Sequence, residues 1–207
     1  MKIKITVLLF SLFSILAVTA QTPDKKETTM SKKDSLRLAK YKAKGIYPAI
    51  KASKFCGVLP VEGITDKADA SLKYKLVISL TTVAEGDKIN DINRGLAEVG
   101  RIINLHLAAG VPKENLDVVI VTHSKALLAL LNNQAFKKQF KVDNPNIAII
   151  NELESTGAKF VACGQAMGFL EIKNSDLLPT VKVALAAKVA LSTYQLKGYT
   201  LFEVDEE

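Results

Sequence analysis

The sequence predicts an α/β fold with three layers, in which helices cover both faces of a mainly parallel sheet of about five strands. Nearly continuous apolar runs recur along the chain, as at residues 75–81 and 116–122, and such runs are typical of strands that are covered on both faces. Between these runs, apolar residues recur every three or four positions, which is the period of an amphipathic helix. Strands that alternate with helices in this way are expected to run parallel.

The predicted elements can be placed in order along the chain. Strands are expected at residues 75–81, 116–122, 159–162 and 199–204, with a short additional strand at 176–178. Helices are expected at 87–109, 124–131, 144–154 and 179–197, and another begins directly after Cys163. Pro145 suits the first turn of its helix. The helix at 179–197 is apolar on most sides, so we expect it to be largely buried.

Residues 1–20 are set apart from the fold by their composition. Lys2 and Lys4 precede an apolar run over residues 5–18, and Val18-Thr19-Ala20 then offers small residues before Gln21. This order is typical of a secretory signal peptide, and the run is shorter than the roughly 20 apolar residues of a membrane span. We therefore expect an exported protein, periplasmic or secreted, with no membrane span after signal cleavage.

Two further segments precede the α/β domain. Residues 21–45 are polar and rich in lysine, and we expect a flexible basic leader in which residues 34–44 can form a loose helix. Residues 46–73 contain Pro48, Gly57, Pro60 and Gly63, which predict an extended arm with turns. The arm is expected to pack against the domain or against a neighbouring subunit. The α/β domain is expected at residues 74–205.

The charge of the chain does not indicate a nucleic-acid partner. The 207 residues carry a formal net charge of +7. Removal of residues 1–20 takes away Lys2 and Lys4 and no acidic residue, which leaves +5. Much of this excess lies in the leader, and charge runs of this kind are most often solvated. An anionic surface is the alternative interpretation, whereas an exported protein seldom meets nucleic acid.

Several common functional motifs are absent from the sequence. There is no CxxC, no HExxH and no clustered Cys/His spacing, so we expect no metal site. The phosphate-binding loop, the GxSxG elbow and the GxGxxG fingerprint are also missing. The sequence therefore supports neither nucleotide binding nor serine hydrolysis, and no cofactor is expected.

The stretch from Phe160 to Gln165 carries the main functional hypothesis. Three apolar residues predict the end of a buried strand, Cys163 follows, and Gly164 allows a tight turn into a helix. Ligands bind at such strand ends in open parallel sheets, and a helix N-terminus favours the nucleophilic thiolate. Gln165 can donate to a bound anion through its amide or through nearby backbone N–H groups. The alternative is that Cys163 is a small buried hydrophobic residue.

His123 ends the neighbouring predicted strand, at the same edge of the sheet. A histidine there can accept a proton from Cys163 or orient a ligand. It can equally be a hydrogen-bonded structural group. Asn104, on the first helix of the domain, can project to solvent or to a subunit contact.

Seven short stretches, taken in their order and spacing, resemble the DsrE/DsrF-like family, and in particular its exported members, which carry a signal peptide. The resemblance covers roughly residues 46–205. The stretches are Tyr74-Lys75-Leu76-Val77, Asn104-Leu105-His106-Leu107-Ala108-Ala109-Gly110, Val118-Val119-Ile120-Val121-Thr122-His123, Asp143-Asn144-Pro145-Asn146, Cys163-Gly164-Gln165-Ala166, Asp176-Leu177-Leu178-Pro179 and Gly198-Tyr199.

The resemblance implies a compact three-layer α/β domain that assembles as trimers or hexamers. It also implies a role in sulfur relay, because the related TusD and DsrE proteins carry sulfur as a persulfide on a cysteine after a strand. By position, that cysteine is similar to Cys163. The partner implied is a sulfur-donor protein or a small sulfur compound.

Three functions remain open from the sequence. The first is an exported protein that handles sulfur on Cys163 or binds a small ligand at the strand-end crevice, with Cys163 and His123 as catalytic residues and Gly164 and Gln165 as ligand-binding residues. The second is a non-catalytic, oligomeric interaction protein of the cell envelope whose arm docks onto a neighbour. The third is a thiol oxidoreductase, which requires a Cys56–Cys163 disulfide because no CxxC is present.

Overall fold

A computed structural model describes residues 31–84 and 86–205 of the chain. The signal peptide expected at residues 1–20 lies outside the described residues, as does the first part of the leader. The end of the leader, Lys32–Lys44, forms helix α1. Among the helices of the described part, none is long and apolar enough to span a bilayer.

The centre of the domain is a sheet of five parallel strands, which confirms the predicted α/β class. The strands are β1 (Tyr74–Leu80), β2 (Leu116–Thr122), β3 (Lys159–Cys163), β4 (Lys182–Ala184) and β5 (Thr200–Val204). Their order across the sheet is β4-β3-β2-β1-β5. All four neighbouring pairs are parallel, so every strand ends at the same edge of the sheet.

The helices of the domain are distributed unevenly over the two faces of this sheet. They are α2 (Arg94–Ala108), α3 (Asn133–Phe140), α4 (Ile147–Ser155), α5 (Gly164–Phe169) and α6 (Ala187–Leu196). Strand residues such as Ile78 and Ile120 share a large core with buried residues of α2, α4 and α5. The alternate strand residues, such as Val77 and Val121, share a smaller core with Ala187 and Ala190 of α6. We refer to the two sides as the α2 face and the α6 face.

The beginning of the arm is fixed to the α2 face by hydrogen bonds from one buried asparagine. Asn104 of α2 accepts from the backbone N–H groups of Ala49 and Ile50, both at 3.0 Å. Its amide donates to the carbonyls of Ile50 at 2.8 Å and Cys56 at 2.9 Å. Asn104 is fully buried, so the expectation that it projects to solvent or to a subunit contact was wrong.

Glu152 of α4 adds a second attachment for the arm. Its carboxylate accepts from the backbone N–H groups of Lys51 at 2.6 Å and Ala52 at 2.8 Å. The arm packs tightly on α2 at Gly100, where an added Cβ would lie 2.7 Å from the Cys56 sulfur. The arm over residues 49–56 therefore docks on its own chain, rather than on a neighbouring subunit.

The region between β3 and β5 differs most from the sequence prediction. Residues 176–178 do not form a strand: Asn174–Asp176 is a 3-10 turn, and Leu177 makes a single bridge to Leu131. The predicted helix at 179–197 is instead strand β4 followed by the shorter α6. Alternation of Val181, Val183 and Leu185 has the period of a strand, and pairing with β3 selects that state. The helix is also not largely buried, since Leu196 is 89% exposed.

Two other helices are shorter or tighter than predicted. The helix expected at 87–109 divides into a 3-10 turn, Gly86–Asn90, and α2. Asn93 caps α2 by accepting from the backbone N–H of Leu96 at 3.1 Å, which fixes the later start. The segment expected as a helix at 124–131 is a 3-10 helix, Ser124–Leu130.

Candidate functional site

Ser79, His123 and Cys163 lie together at the carboxyl edge of the sheet, on the α6 face. Thr122 pairs with Ala162 in the parallel register, so the next residues along the two strands, His123 and Cys163, are at the same level. Cys163 belongs to the small core of the α6 face. The ring nitrogen Nε2 of His123 lies 2.9 Å from the hydroxyl oxygen of Ser79, which extends the cluster to β1.

The sulfur of Cys163 is held by the first turn of α6. The backbone N–H of Ala187 donates to Sγ at 3.2 Å, and Ala187 is the first residue of that helix. The thiol makes no capping hydrogen bond to α5, which begins at Gly164. The sequence predicted that the N-terminus of α5, directly after Cys163, would activate the thiol. In the structure the sulfur instead contacts the N-terminus of α6, 24 residues further along the chain. The Cys163 sulfur therefore accepts a backbone hydrogen bond at the carboxyl edge of the sheet.

Cys163 is buried but lies close to the protein surface. It is 6% exposed, and the segment 184–187 lies against it. Within that segment, Leu185 is exposed and Ala184 and Ala186 are half-buried. The thiol is thus covered by the short connection between β4 and α6 and by the buried start of α6 at Ala187 and Ala190.

The ring of His123 is half-buried and contacts the hydroxyl of Ser79. Burial lowers the pKa of its imidazole below the ordinary value of 6.5, so the ring is neutral at pH 7 and can accept a proton. Ser124, the next residue, has a left-handed backbone with φ of +54°, a conformation that is costly outside glycine. No hydrogen bond joins the ring to the Cys163 sulfur within the described residues.

Gly164 and Gln165, expected to bind a ligand, attach α5 to the segment over Cys163. A Cβ on Gly164 would lie 2.9 Å from the carbonyl oxygen of Ala184, so only glycine fits there. The backbone N–H of Gln165 donates to the carbonyl of Leu185 at 3.1 Å. That N–H is therefore occupied, and the exposed side chain of Gln165 is the part left for a ligand.

The two cysteines lie on opposite faces of the sheet and are not joined. Both are free. Cys56 packs in the core of the α2 face and Cys163 in that of the α6 face. Burial raises the pKa of the Cys56 thiol to about 11. The Cys56–Cys163 disulfide considered from the sequence is therefore wrong for this fold, and the thiol oxidoreductase hypothesis loses its only support.

Sequence reasoning missed Ser79 and Ala187. Ser79 is the one polar side chain within residues 76–80 of β1, and a polar residue in such an apolar run is a usable signal for a site. The role of Ala187 lies in its backbone N–H, for which the sequence offers no signal. No group of three or more His, Cys, Asp or Glu within residues 31–84 and 86–205 is placed to hold a metal ion.

Fold and site together define a single-domain α/β protein with a covered thiol at the strand edge of a five-stranded parallel sheet. The model of the DsrE/DsrF-like family matches residues 75–204. The chain belongs to this family, as its sequence resemblance indicated. No curated protein matches the chain.

Two solved structures are similar to the chain. One is a protein of unknown function, MTH1491, from Methanobacterium thermoautotrophicum, with 20% identity, a TM-score of 0.45, and coverage of 63% of this chain and 98% of that one. The other is the ychN protein from E. coli, with 19% identity, a TM-score of 0.40, and coverage of 64% and 99%.

Proposed function

We propose that this protein handles sulfur as a persulfide on Cys163. Membership of the DsrE/DsrF-like family supports a sulfur-related function. The single observation that carries the proposal is the hydrogen bond from the Ala187 N–H to the Cys163 sulfur, because it fixes the sulfur at the edge of the sheet where ligands of parallel α/β proteins bind.

The proposed transfer balances without an external oxidant or reductant. The Cys163 thiolate attacks the terminal, sulfane sulfur of a donor persulfide, R–S–SH. A new S–S bond forms on Cys163, and the S–S bond of the donor breaks. The donor leaves as a thiolate and takes up a proton, so that Cys163–SH and R–S–SH become Cys163–S–SH and R–SH. His123, neutral at pH 7, accepts the thiol proton and returns it to the leaving thiolate.

The cover over Cys163 has to move for a donor to reach the sulfur. Two hydrogen bonds hold the segment 184–187 at this point: Gln165 N–H to the Leu185 carbonyl, and Ala187 N–H to Sγ. Before this segment comes the three-residue strand β4, and after it the chain continues into α6, whose first residue, Ala187, is buried. Short edge elements with few hydrogen bonds open locally at low cost, so access to Cys163 is gated by β4 and the start of α6.

Mass spectrometry of the folded protein after incubation with a low-molecular-weight persulfide tests the proposal. We expect a gain of about 32 Da, one sulfur atom, on the peptide that contains Cys163. The peptide that contains Cys56 serves as an internal control and is expected to stay unchanged, because its thiol is buried on the other face. Cys163→Ala removes the acceptor, and absence of the added sulfur from wild-type Cys163 contradicts carrier activity.

A second function, a non-catalytic oligomeric binding protein, is favoured by a different observation. Apolar side chains are exposed along β4, the connection that follows it and α6: Val183 at 43%, Leu185 at 73%, Val189 at 52% and Leu196 at 89%. We call this set the α6 patch. It includes the free edge of the sheet at β4, and exposed apolar residues beside a free edge fit a second copy of this chain. A homotrimer or homohexamer assembled through the α6 patch is compatible with either function.

Export to the periplasm or the medium is also part of this proposal. It is supported by the order of Lys2, Lys4, the apolar run and Ala20 in the sequence. Sequencing of the N-terminus of the protein recovered from its native cells tests it directly. We expect the mature chain to begin at Gln21, and a chain that retains Met1 contradicts export by this route.

A further inference from the structure

A second concave region lies on the α2 face, away from Cys163. It is a cleft of about 1440 Å³, bounded by the arm at residues 52–55, the connection after β1, the first turns of α2 and the end of β5. Its volume exceeds what a small ligand needs. A ligand would therefore occupy one part of the cleft, and its side chains decide which part.

The cleft lies at the point where the order of strands in the sheet reverses, between β1 and β5. From β1 the chain proceeds through β2 and β3 to β4 on one side, and then returns to place β5 on the other side of β1. The direction of the connections thus reverses between β1 and β5. In open α/β sheets, ligands bind at the carboxyl ends of the strands at such a switch point. The cleft is lined by residues that follow β1 and by Glu203 and Val204 of β5.

Two cations are gathered around one aromatic ring at the wall of the cleft. The guanidinium carbon of Arg94 lies 3.3 Å from the centre of the Phe55 ring, and the Lys54 ammonium lies 5.1 Å from it. Both cationic residues are exposed. When a guanidinium stacks on an aromatic ring, its N–H groups stay in the guanidinium plane and point away from the ring. They can then bind a carboxylate or a phosphate through two hydrogen bonds.

The nearest carboxylate on the helix does not neutralise Arg94. Glu98, one turn further along α2, is bound through both oxygens by Arg101 at 2.7 Å and 2.5 Å. Among the described side chains, no carboxylate forms an ion pair with Arg94 or Lys54. Phe55 belongs to the arm segment that Asn104 and Glu152 fix in place, so the stacked pair is preorganised.

We infer that the cleft binds a small anionic ligand through Arg94 and Lys54, stacked on Phe55. The carboxylates of the lining limit the charge of that ligand. Asp91, Glu98, Glu203 and Asp205 all line the cleft, and they repel an extended polyanion. The ligand class is therefore a small molecule with one carboxylate or phosphate group. This site does not depend on Cys163, which lies on the other face.

NMR titration of the full chain with sodium acetate and, separately, inorganic phosphate tests the inference at constant ionic strength. We expect a saturable shift of the Arg94 Nε–H and of the Phe55 amide. Tighter binding of acetate identifies a carboxylate ligand, and tighter binding of phosphate identifies a phosphate ligand. In Arg94→Gln the affinity is expected to fall roughly tenfold, the loss of one charge-assisted bidentate contact. Arg94→Lys, which keeps the charge without the planar fork, should bind with intermediate affinity.

Lys138→Gln, which removes an exposed cation from α3, is the matched control and should bind as the wild type does. Shifts that stay linear to the highest concentration of both anions would overturn the inference. So would equal affinity in Arg94→Gln and the wild type. Either result leaves the persulfide proposal untouched, because loading of Cys163 is read separately by mass.

Discussion

Cys163 and Cys56 illustrate how position decides the chemistry of a thiol. Cys56 donates to the carbonyl of Ala97 at 3.4 Å and lies deep in the core of the α2 face. Cys163 instead accepts a hydrogen bond from the backbone N–H of Ala187 at the edge of the sheet. Because only the thiolate is nucleophilic, we expect Cys56, whose pKa burial raises to about 11, to be the less reactive of the two thiols.

His123 is expected to titrate below 6.5 in the folded protein, because burial disfavours its charged form. The unfolded chain then binds the proton more readily, so the free energy of unfolding decreases as the pH falls below about 6.5. NMR of the imidazole resonances gives the pKa, and urea unfolding at a series of pH values gives the stability. In His123→Gln the free energy of unfolding should decrease less between pH 7 and acidic pH than it does in the wild type. A pKa above 6.5 contradicts this assignment.

Among the helices and the arm, Asn104 fixes a whole segment. A single side chain satisfies two N–H groups and two carbonyls of the arm, and no water competes because the site is fully buried. Buried backbone groups that lose their partners carry a large desolvation cost. The arm is therefore a structural element of the domain over residues 49–56, although its sequence is typical of an extended linker.

Asn104→Ala is expected to lower the free energy of unfolding by about 2–4 kcal/mol, because it leaves several buried backbone groups unpaired. Chemical denaturation measures the loss, and hydrogen exchange should locate increased exchange at residues 49–56. Asn115→Ala removes an amide that donates to the Ala70 carbonyl at a more exposed position, and should cost less than about 1 kcal/mol. Equal losses in the two variants contradict the role given to Asn104.

Strands and helices could be predicted from the sequence where the apolar residues follow one clear pattern, either a continuous buried run or a helical repeat. Apolar runs identify four of the strands. Most residues of β1, β2 and β3 are buried, and β5 pairs with β1 along its length. Strand β4 was missed because its alternation covers only Val181, Val183 and Leu185, and because the helix that follows is also apolar. Strand β4 is distinguished from the helix by its pairing with β3, and this tertiary contact overrides the local secondary-structure preference of the segment.

At the scale of the whole molecule, the two faces of the sheet are covered to different extents. The α2 face carries α2, α4, α5 and the docked arm, whereas α6 supplies the core of the other face. The α6 patch is the apolar surface that this arrangement leaves in water. If copies of the chain assemble as proposed, burial of this patch contributes about 25 cal/mol per Å² of apolar area, against the entropic cost of association.

Leu185→Lys combined with Leu196→Lys is expected to shift the protein towards the monomer, because it introduces charge into the α6 patch. Light scattering coupled to size-exclusion chromatography measures the mass. Val61→Lys is the matched control, since Val61 is 67% exposed on the arm and lies outside the patch; it should leave the mass unchanged. A monomeric wild type, or an unchanged mass in the double variant, contradicts assembly through the patch.

The site was predictable in part. The strand order expected for an α/β fold brings the ends of neighbouring strands together, so His123 and Cys163 could be identified as neighbours from the sequence. The contact with Ala187 could not, because it depends on where a misassigned helix begins. The same error hid the cover over Cys163, since residues 184–187 were expected inside a helix.

The account depends most on whether Cys163 reacts in the folded protein. Alkylation of the native chain with a small thiol reagent at pH 7.5, read peptide by peptide by mass spectrometry, measures this directly. We expect Cys163 to be modified while Cys56, whose pKa of about 11 leaves it protonated, stays unmodified until denaturant is added. If both thiols are protected until the chain unfolds, Cys163 is a core residue and the persulfide proposal is contradicted.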